Sequence, residues 1–288
     1  MKDWLPLFDL EATSQVLETK RFTQNLKPLE LECPAQRKIV VIAPHPDDDV
    51  FGPGGTLLKA IQKGAEVHVV YVTDGENDAR REAIRDDARR SCEALGATYT
   101  FLGCETMNIP LADEQVNRSL SSLLQDIRPE AIFTAFLLDD HDDHRRANEL
   151  LLTVARDLDL GKAEIWAYQV YSSVLPNVVV NITDQADRKR HLISLWHNVS
   201  GSRDWAHYVL GMNAANCRYV SSRRPEYVEA FFVVPLDEYL DLCEGYFSHG
   251  AERVYFTSRY REGSAHGAVT GSTAERCQSD SVIVSDRV

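Results

Sequence analysis

The stretch KIVVIAPHPDDDVFGPGGTL, residues 38–57, contains the pattern that decides the fold. Residues 38–44 are a short apolar run rich in Val and Ile, which predicts a buried strand. A loop rich in Asp and Gly follows, and we predict a helix over about residues 55–63 with Gly64 at its C-cap. A strand that leads through a polar loop into a helix is the first half of a βαβ unit.

The same alternation of short apolar runs and longer mixed segments continues along the chain. Further strands are predicted at residues 66–73, 98–102, 131–135, 164–168, 178–182 and 229–234. Further helices are predicted at residues 79–95, 115–127, 185–197, 204–216 and 236–243, and another follows residue 144 and ends near residue 158. The pattern indicates a single α/β domain of Rossmann-like fold, with a mostly parallel sheet flanked by helices.

The two ends of the chain differ from this core. Residues 1–36 are interpreted as an N-terminal arm, residues 37–245 as the main domain, and residues 246–288 as a C-terminal extension with a flexible end. The arm carries Trp4, Leu5, Leu7 and Phe8, which could cover a neighbouring subunit or the edge of its own sheet. A homo-oligomer is therefore left open.

Composition excludes several classes of protein. The formal charge of −13 and the pI near 5.1 argue against nucleic acid or an anionic membrane as the main partner, because such sites need clustered Lys and Arg. No run approaches the ~20 apolar residues that a membrane span requires. The N-terminus lacks the pattern of a signal peptide, and the 6 cysteines are scattered without a CxxC pair. We therefore expect reduced thiols, a cytoplasmic location and a small-molecule partner.

Two clusters of acidic residues and histidines follow predicted strands. HPDDD, residues 45–49, comes after the first strand, and HDDH, residues 141–144, comes shortly after the strand at 131–135. Ligands of open α/β sheets bind beyond the carboxyl ends of the strands. Either cluster alone would indicate a turn or a helix N-cap, but the two together favour a divalent cation, which relieves the repulsion between their carboxylates. His45, one Asp of residues 47–49 and one His of residues 141 and 144 would supply three ligands.

The motifs PHPDDD, GGTL, TDGE and HDDH, the last followed by Ala and Asn, are similar to those of the PIG-L/LmbE family of metal-dependent N-acetylglucosamine-type deacetylases. The resemblance covers roughly residues 38–235. Two residues depart from the usual form of the first motif: Asp49 stands where the family usually has Glu, and Pro44 where it usually has Ala.

The resemblance implies a function and a set of roles. It implies removal of an N-acetyl group from an amino sugar with the help of Zn²⁺ or another divalent metal such as Fe²⁺. The implied metal ligands are His45, Asp48 and His144, and Asp47 is implied as the general base that takes a proton from the attacking water. His141, paired with Asp143, is implied as the general acid or as the group that stabilises the oxyanion.

Two further residues are implied as substrate contacts, and two other functions stay open. The substrate contacts are Arg85, on the helix after the second strand, and His197, which matches the family's C-terminal His element. A metal amidase that acts on a non-sugar acyl amine would use the same ligands. A catalytically silent sugar-binding module would have no need for both a base and an acid.

Overall fold

A computed structural model describes residues 15, 16, 18, 19, 28–75, 78–197, 203–220, 224 and 226–248. At its centre is one eight-stranded sheet with the order β1-β7-β8-β6-β5-β2-β3-β4. The strands are β1 (Leu29–Leu31), β2 (Lys38–Ala43), β3 (Glu66–Thr73), β4 (Thr98–Cys104), β5 (Ala131–Ala135), β6 (Glu164–Tyr168), β7 (Val178–Asn181) and β8 (Val228–Pro235). Strand β8 runs antiparallel to β6 and β7, and the other described pairings are parallel.

Helices connect these strands. They are α1 (Asp48–Phe51), α2 (Gly54–Gln62), α3 (Asp78–Leu95), α4 (Glu114–Ile127), α5 (Asp142–Ala155), α6 (Ala186–Ser194), α7 (Trp205–Ala215) and α8 (Leu236–Ser248). The α/β fold with a mostly parallel sheet flanked by helices is thus confirmed. No helix in the described part of the chain is long and apolar enough to cross a membrane.

Some local features differ from the sequence prediction. The one-turn helix α1 begins within the motif HPDDD and ends at Phe51, where a loop was predicted. Part of the predicted N-terminal arm is β1, which pairs in parallel with β7 at the edge of its own sheet. The predicted helix at 185–197 is a 3₁₀ turn, Thr183–Gln185, followed by the shorter α6. Helix α8 continues to Ser248, past the predicted end at 243, and the end of the C-terminal extension lies outside the described residues.

The sheet forms the core of the protein, and the loop that follows α1 packs closely against it. The middle strands are buried on both faces, as the apolar runs predicted, with Val41 and Phe133 fully inaccessible. A Cβ on Gly55 would lie 2.8 Å from three side-chain carbons of Ile182, and a Cβ on Gly52 would collide with the Tyr168 ring. Gly52 and Gly55 of the GPGG segment are therefore required for close packing of this loop.

Candidate active site

The two motifs meet because their strands are neighbours. Strands β2 and β5 pair in parallel, with Ile42 opposite Thr134, so their carboxyl ends reach the same edge of the sheet. His45 follows β2 after one intervening residue, and His141 is the N-cap of α5 in the segment that follows β5. The structure thus brings HPDDD and HDDH together, as the crevice rule for open sheets predicts.

Three donor atoms in this crevice form an almost regular triangle. His45 Nδ1 lies 3.3 Å from Asp48 Oδ2 and 3.2 Å from His144 Nε2, and His144 Nε2 lies 3.2 Å from Asp48 Oδ2. Tetrahedral Zn²⁺ with bonds of about 2.0–2.1 Å holds its ligand atoms about 3.3 Å apart. The side chains of Asp48 and His144 are fully buried, and Asp48 Oδ1 has no hydrogen-bond partner in the described structure. The donor set and its spacing fit a divalent metal ion.

Each of the two histidines in this triangle has a carboxylate on its other nitrogen. His45 Nε2 lies 2.8 Å from Asp143 Oδ2, which also accepts a 2.9 Å hydrogen bond from the backbone N–H of Met107. His144 Nδ1 lies 2.9 Å from Asp139 Oδ1. A carboxylate behind a ligating imidazole fixes the orientation of the ring and raises its basicity. Both rings therefore have the environment of metal ligands.

Asp139 was not singled out by sequence analysis. Its Oδ2 accepts the backbone N–H groups of Tyr171 and Ser172 at 3.0 and 3.1 Å, and its Oδ1 accepts that of His141 at 3.2 Å. The carboxylate thus joins the segment before α5 to the loop after β6 while it faces His144. The ring of Tyr171 in turn stacks on His144, with centroids 5.4 Å apart. The only sequence signal was that Asp139 lies just beyond the end of a predicted strand.

Asp47 occupies an unusual backbone position between the motif loop and α1. Its φ of 106° lies in the left-handed region, which costs a non-glycine residue of order 1–3 kcal/mol. Its carbonyl accepts the N–H groups of Val50 and Phe51, so it is the N-cap of α1, but its carboxylate makes no capping hydrogen bond. The buried carboxylate is therefore left available for another use.

The pKa values of the two adjacent carboxyl groups shift in opposite directions. Burial raises the pKa of Asp47 well above its usual value, and the charges of Asp48 and Asp49 act in the same direction. Burial also opposes ionisation of Asp48, but the charges and hydrogen bonds of His144 and His45 outweigh it and hold that pKa well below the usual value. Asp48 is thus kept as a carboxylate, as a metal ligand must be. The raised pKa of Asp47 makes its carboxylate a stronger proton acceptor.

His141 lies beside the triangle and is uncharged at neutral pH. One of its ring nitrogens lies within 4.8 Å of ligand atoms of His45 and His144, so position alone also allows it to bind a metal. Burial and these two neighbours lower the pKa of His141 to about 4. Its Nδ1 accepts the backbone N–H of Asp143 at 3.1 Å, which places the proton of the neutral ring on Nε2. His141 therefore offers an N–H donor to the crevice.

One predicted pairing is wrong. The sequence paired the carboxylate of Asp143 with His141, but in the structure that carboxylate contacts His45. The reason is geometric: Asp143 lies in the first turn of α5, two positions after the N-cap His141, and residues two apart on a helix do not face each other. Asp143 thus supports a candidate metal ligand, and His141 is oriented by a backbone N–H.

The two residues predicted to contact substrate lie away from the triangle. Arg85 Nη2 donates a 2.7 Å hydrogen bond to Asp74 Oδ2 just beyond β3, and its guanidinium lies 5.3 Å from the centroid of the Phe101 ring. Its side chain is about half exposed. His197 is exposed at the end of a described segment, and no described contact joins it to the cluster.

Comparison with known proteins agrees with this geometry. The family model PIG-L, described as GlcNAc-PI de-N-acetylase, matches residues 40–155, which include both motifs and the whole triangle. Over this segment the chain is similar to the PIG-L family. A 1D-myo-inositol 2-acetamido-2-deoxy-alpha-D-glucopyranoside deacetylase of Thermomonospora curvata is 27% identical over 187 residues, which cover 50% of this chain and 62% of that relative. The match thus spans less than two thirds of this relative.

Two solved structures share the fold of this chain. One is an N,N'-diacetylchitobiose deacetylase from Pyrococcus horikoshii, with a TM-score of 0.59, 23% identity and coverage of 87% of this chain and 97% of that chain. The other is GalB, a 4-carboxy-2-hydroxymuconate hydratase from Pseudomonas putida, with a TM-score of 0.57, 21% identity and coverage of 69% and 96%. At these identities the two structures support the fold alone, because the same fold can carry different reactions and the residues of the site determine which one.

Proposed function

We propose that this chain is a member of the PIG-L/LmbE family and a zinc-dependent hydrolase that removes the acetyl group from an N-acetylglucosamine-type sugar. The observation that carries the proposal is the triangle of His45 Nδ1, Asp48 Oδ2 and His144 Nε2, whose sides of 3.2–3.3 Å match a tetrahedral zinc site. Zinc bound there would polarise the amide carbonyl and lower the pKa of a water molecule to about 7. Fe²⁺ is the alternative ion that the same ligands accept.

Asp47 and His141 are the residues we assign to the chemistry. Asp47 is buried beside the triangle, its carboxylate is not used for capping, and its raised pKa suits a group that takes a proton from the attacking water. The same carboxyl group can then return a proton to the leaving amine. His141, neutral with its proton on Nε2, donates a hydrogen bond to the oxyanion that develops on the carbonyl oxygen.

Asp143 and Asp139 complete the site as supports of the two imidazoles. Arg85 is assigned to substrate binding because the resemblance implies that role, and its guanidinium donates a hydrogen bond to Asp74 just beyond β3. The amino-sugar substrate is proposed from the family and from the named activity of the Thermomonospora relative. Cysteines Cys33, Cys92, Cys104, Cys217 and Cys243 are free in the structure, and a cytoplasmic location is part of the proposal.

Acetate release tests the proposed function. The purified chain would be analysed for bound metal and incubated with N-acetylglucosamine, N,N'-diacetylchitobiose and a set of N-acetyl amino acids. We expect one bound zinc per chain and acetate from the sugars, lost in EDTA and restored by Zn²⁺. Acetate from the amino acids alone would instead identify a metal amidase for non-sugar amines. Metal binding without acetate from any substrate would refute the hydrolase.

A further inference from the structure

A fully buried ammonium group lies under the metal-site loop. Lys189, on α6, has no exposed surface. Its Nζ donates to the carbonyl oxygens of Phe51 and Gly52, both at 3.0 Å, and to Asn213 Oδ1 of α7 at 3.1 Å. Phe51 and Gly52 form the C-terminal end of α1, the one-turn helix that begins with Asp48. A positive charge at this end stabilises the carbonyl groups that a helix terminus leaves unpaired.

Glu229, the carboxylate that pairs with this ammonium group, binds the start of helix α2. Glu229 Oε1 lies 2.6 Å from Lys189 Nζ and also accepts the backbone N–H of Gly55 at 2.8 Å. Glu229 Oε2 accepts the N–H of Thr56 at 2.7 Å. These two N–H groups belong to the first turn of α2, where a carboxylate is favourable. The ion pair thus holds the end of α1 and the start of α2, on both sides of Pro53.

This support matters because α1 cannot hold its own shape. A helix of one turn lies far below the length at which helices are stable alone, and α1 follows directly on the left-handed backbone of Asp47. A buried pair with satisfied hydrogen bonds is rigid, and leaving either charge alone in the interior is costly. The orientation of Asp48 therefore depends on contacts that reach the loop from β8 and α6.

Neither member of the pair lies in the segment that matches the PIG-L model. That match ends at residue 155, and it contains the three proposed ligands but neither Lys189 nor Glu229. We infer that Lys189 and Glu229 are positioning residues of the metal site, which fix α1 so that Asp48 completes the ligand triangle. This inference rests on the proposed metal site, and it assigns part of the metal affinity to the second half of the chain.

Three variants of the full chain and one control test the inference. K189M and E229Q each remove one charge, and the double variant K189M/E229Q removes both, so that no lone charge stays buried. The control is N177A. Asn177 is also buried and joins β8 through two 2.7 Å hydrogen bonds to the backbone of Val233, but it makes no described contact with the motif loop.

Three measurements would be made on every variant: the free energy of unfolding in denaturant, Zn²⁺ affinity by competition with a chelating dye, and amide hydrogen exchange of residues 45–57 without metal. We expect the single and double variants to bind Zn²⁺ at least about tenfold more weakly than the wild type, the size found for residues that support metal ligands. Exchange of residues 45–57 should be faster by a similar factor. N177A should lose stability and keep both other values within about twofold.

The double variant separates positioning from general stability. If the pair only stabilised the fold, K189M/E229Q would recover the affinity that the single variants lose, and N177A would lose affinity in proportion to its stability. Either result would overturn the inference, as would unchanged exchange of residues 45–57. If the wild type binds no Zn²⁺ but exchange still rises in the three variants, the metal proposal fails and the positioning of the loop stands.

Discussion

The substitution D139N tests the support behind the proposed ligand His144. Each Asp139 oxygen serves two groups: Oδ1 lies 2.9 Å from His144 Nδ1 and accepts His141 N–H, and Oδ2 accepts the N–H groups of Tyr171 and Ser172. An asparagine keeps one oxygen and turns the other into a donor. Whichever side it faces, the negative charge behind His144 is lost.

The expected magnitudes follow from these contacts. Loss of a carboxylate that supports a metal-binding histidine lowers metal affinity by about 10–100-fold, or roughly 1.4–2.7 kcal/mol. The –NH₂ group that replaces one oxygen faces N–H donors, which leaves buried groups without an acceptor and costs about 1–3 kcal/mol of unfolding free energy. The affinity loss should appear also as a lower kcat at limiting metal, with kcat largely restored when Zn²⁺ is in excess.

The assay compares D139N with D140N, which removes the same charge from the next, exposed residue. Zn²⁺ affinity would be measured by dye competition and the unfolding free energy by urea titration, both on the full chain. D140N should match the wild type in both. If D139N also binds Zn²⁺ as tightly as the wild type, the contact between Asp139 and His144 does not support a ligand, and the assignment of His144 must be withdrawn.

Four other predictions concern the groups in the crevice. D47A should abolish acetate release, a fall of at least about 100-fold in kcat, with Zn²⁺ still bound in metal analysis; loss of the metal would show that Asp47 is a ligand. H141A should also lower kcat by about 100-fold or more at unchanged Zn²⁺ affinity, because it removes the hydrogen-bond donor for the oxyanion; weaker Zn²⁺ binding would make His141 a ligand. D48N should lose Zn²⁺ altogether, while its circular dichroism spectrum stays that of the wild type. Removal of metal with EDTA should lower the unfolding free energy by about 2.7 kcal/mol relative to protein at a free Zn²⁺ concentration of 100 times Kd, and an equal effect of EDTA on D48N would count against the site.

Most of the sheet was predictable because its strands are buried on both faces. Strand β2 and its neighbour β5 consist almost wholly of apolar residues, and such runs stand out against the polar helices between them. Strand β1 was missed because LEL carries no such pattern: it is a strand only through its pairing with β7. Helix α1 was missed because one turn is too short to show a period of 3.6 residues.

The candidate site was predictable only in part: the sequence predicts that the two motifs meet, but it does not predict the individual contacts between them. That the two motifs meet follows from the rule that ligands lie beyond the carboxyl ends of neighbouring strands. Which carboxylate contacts which histidine does not follow, since Asp143 and His45 are 98 positions apart and come together only through the pairing of β2 with β5. Lys189 was hidden for another reason: it lies in the sequence DRKRH, which has the composition of an exposed helix.

GalB has a similar fold and is named a hydratase, so the fold alone does not determine the reaction. A hydratase and a deacetylase can both use an activated water molecule, so a water-activating site on this fold does not separate them. Amide hydrolysis has an additional demand, because the leaving nitrogen must receive a proton. In the proposed mechanism Asp47, a buried carboxyl group with a raised pKa, accepts a proton and returns it, and the neutral His141 donates a hydrogen bond from the opposite loop. The two proposed roles would meet the demands of amide hydrolysis, and both residues follow the strand ends that also carry the proposed ligands. The variants D47A and H141A therefore test the reaction itself.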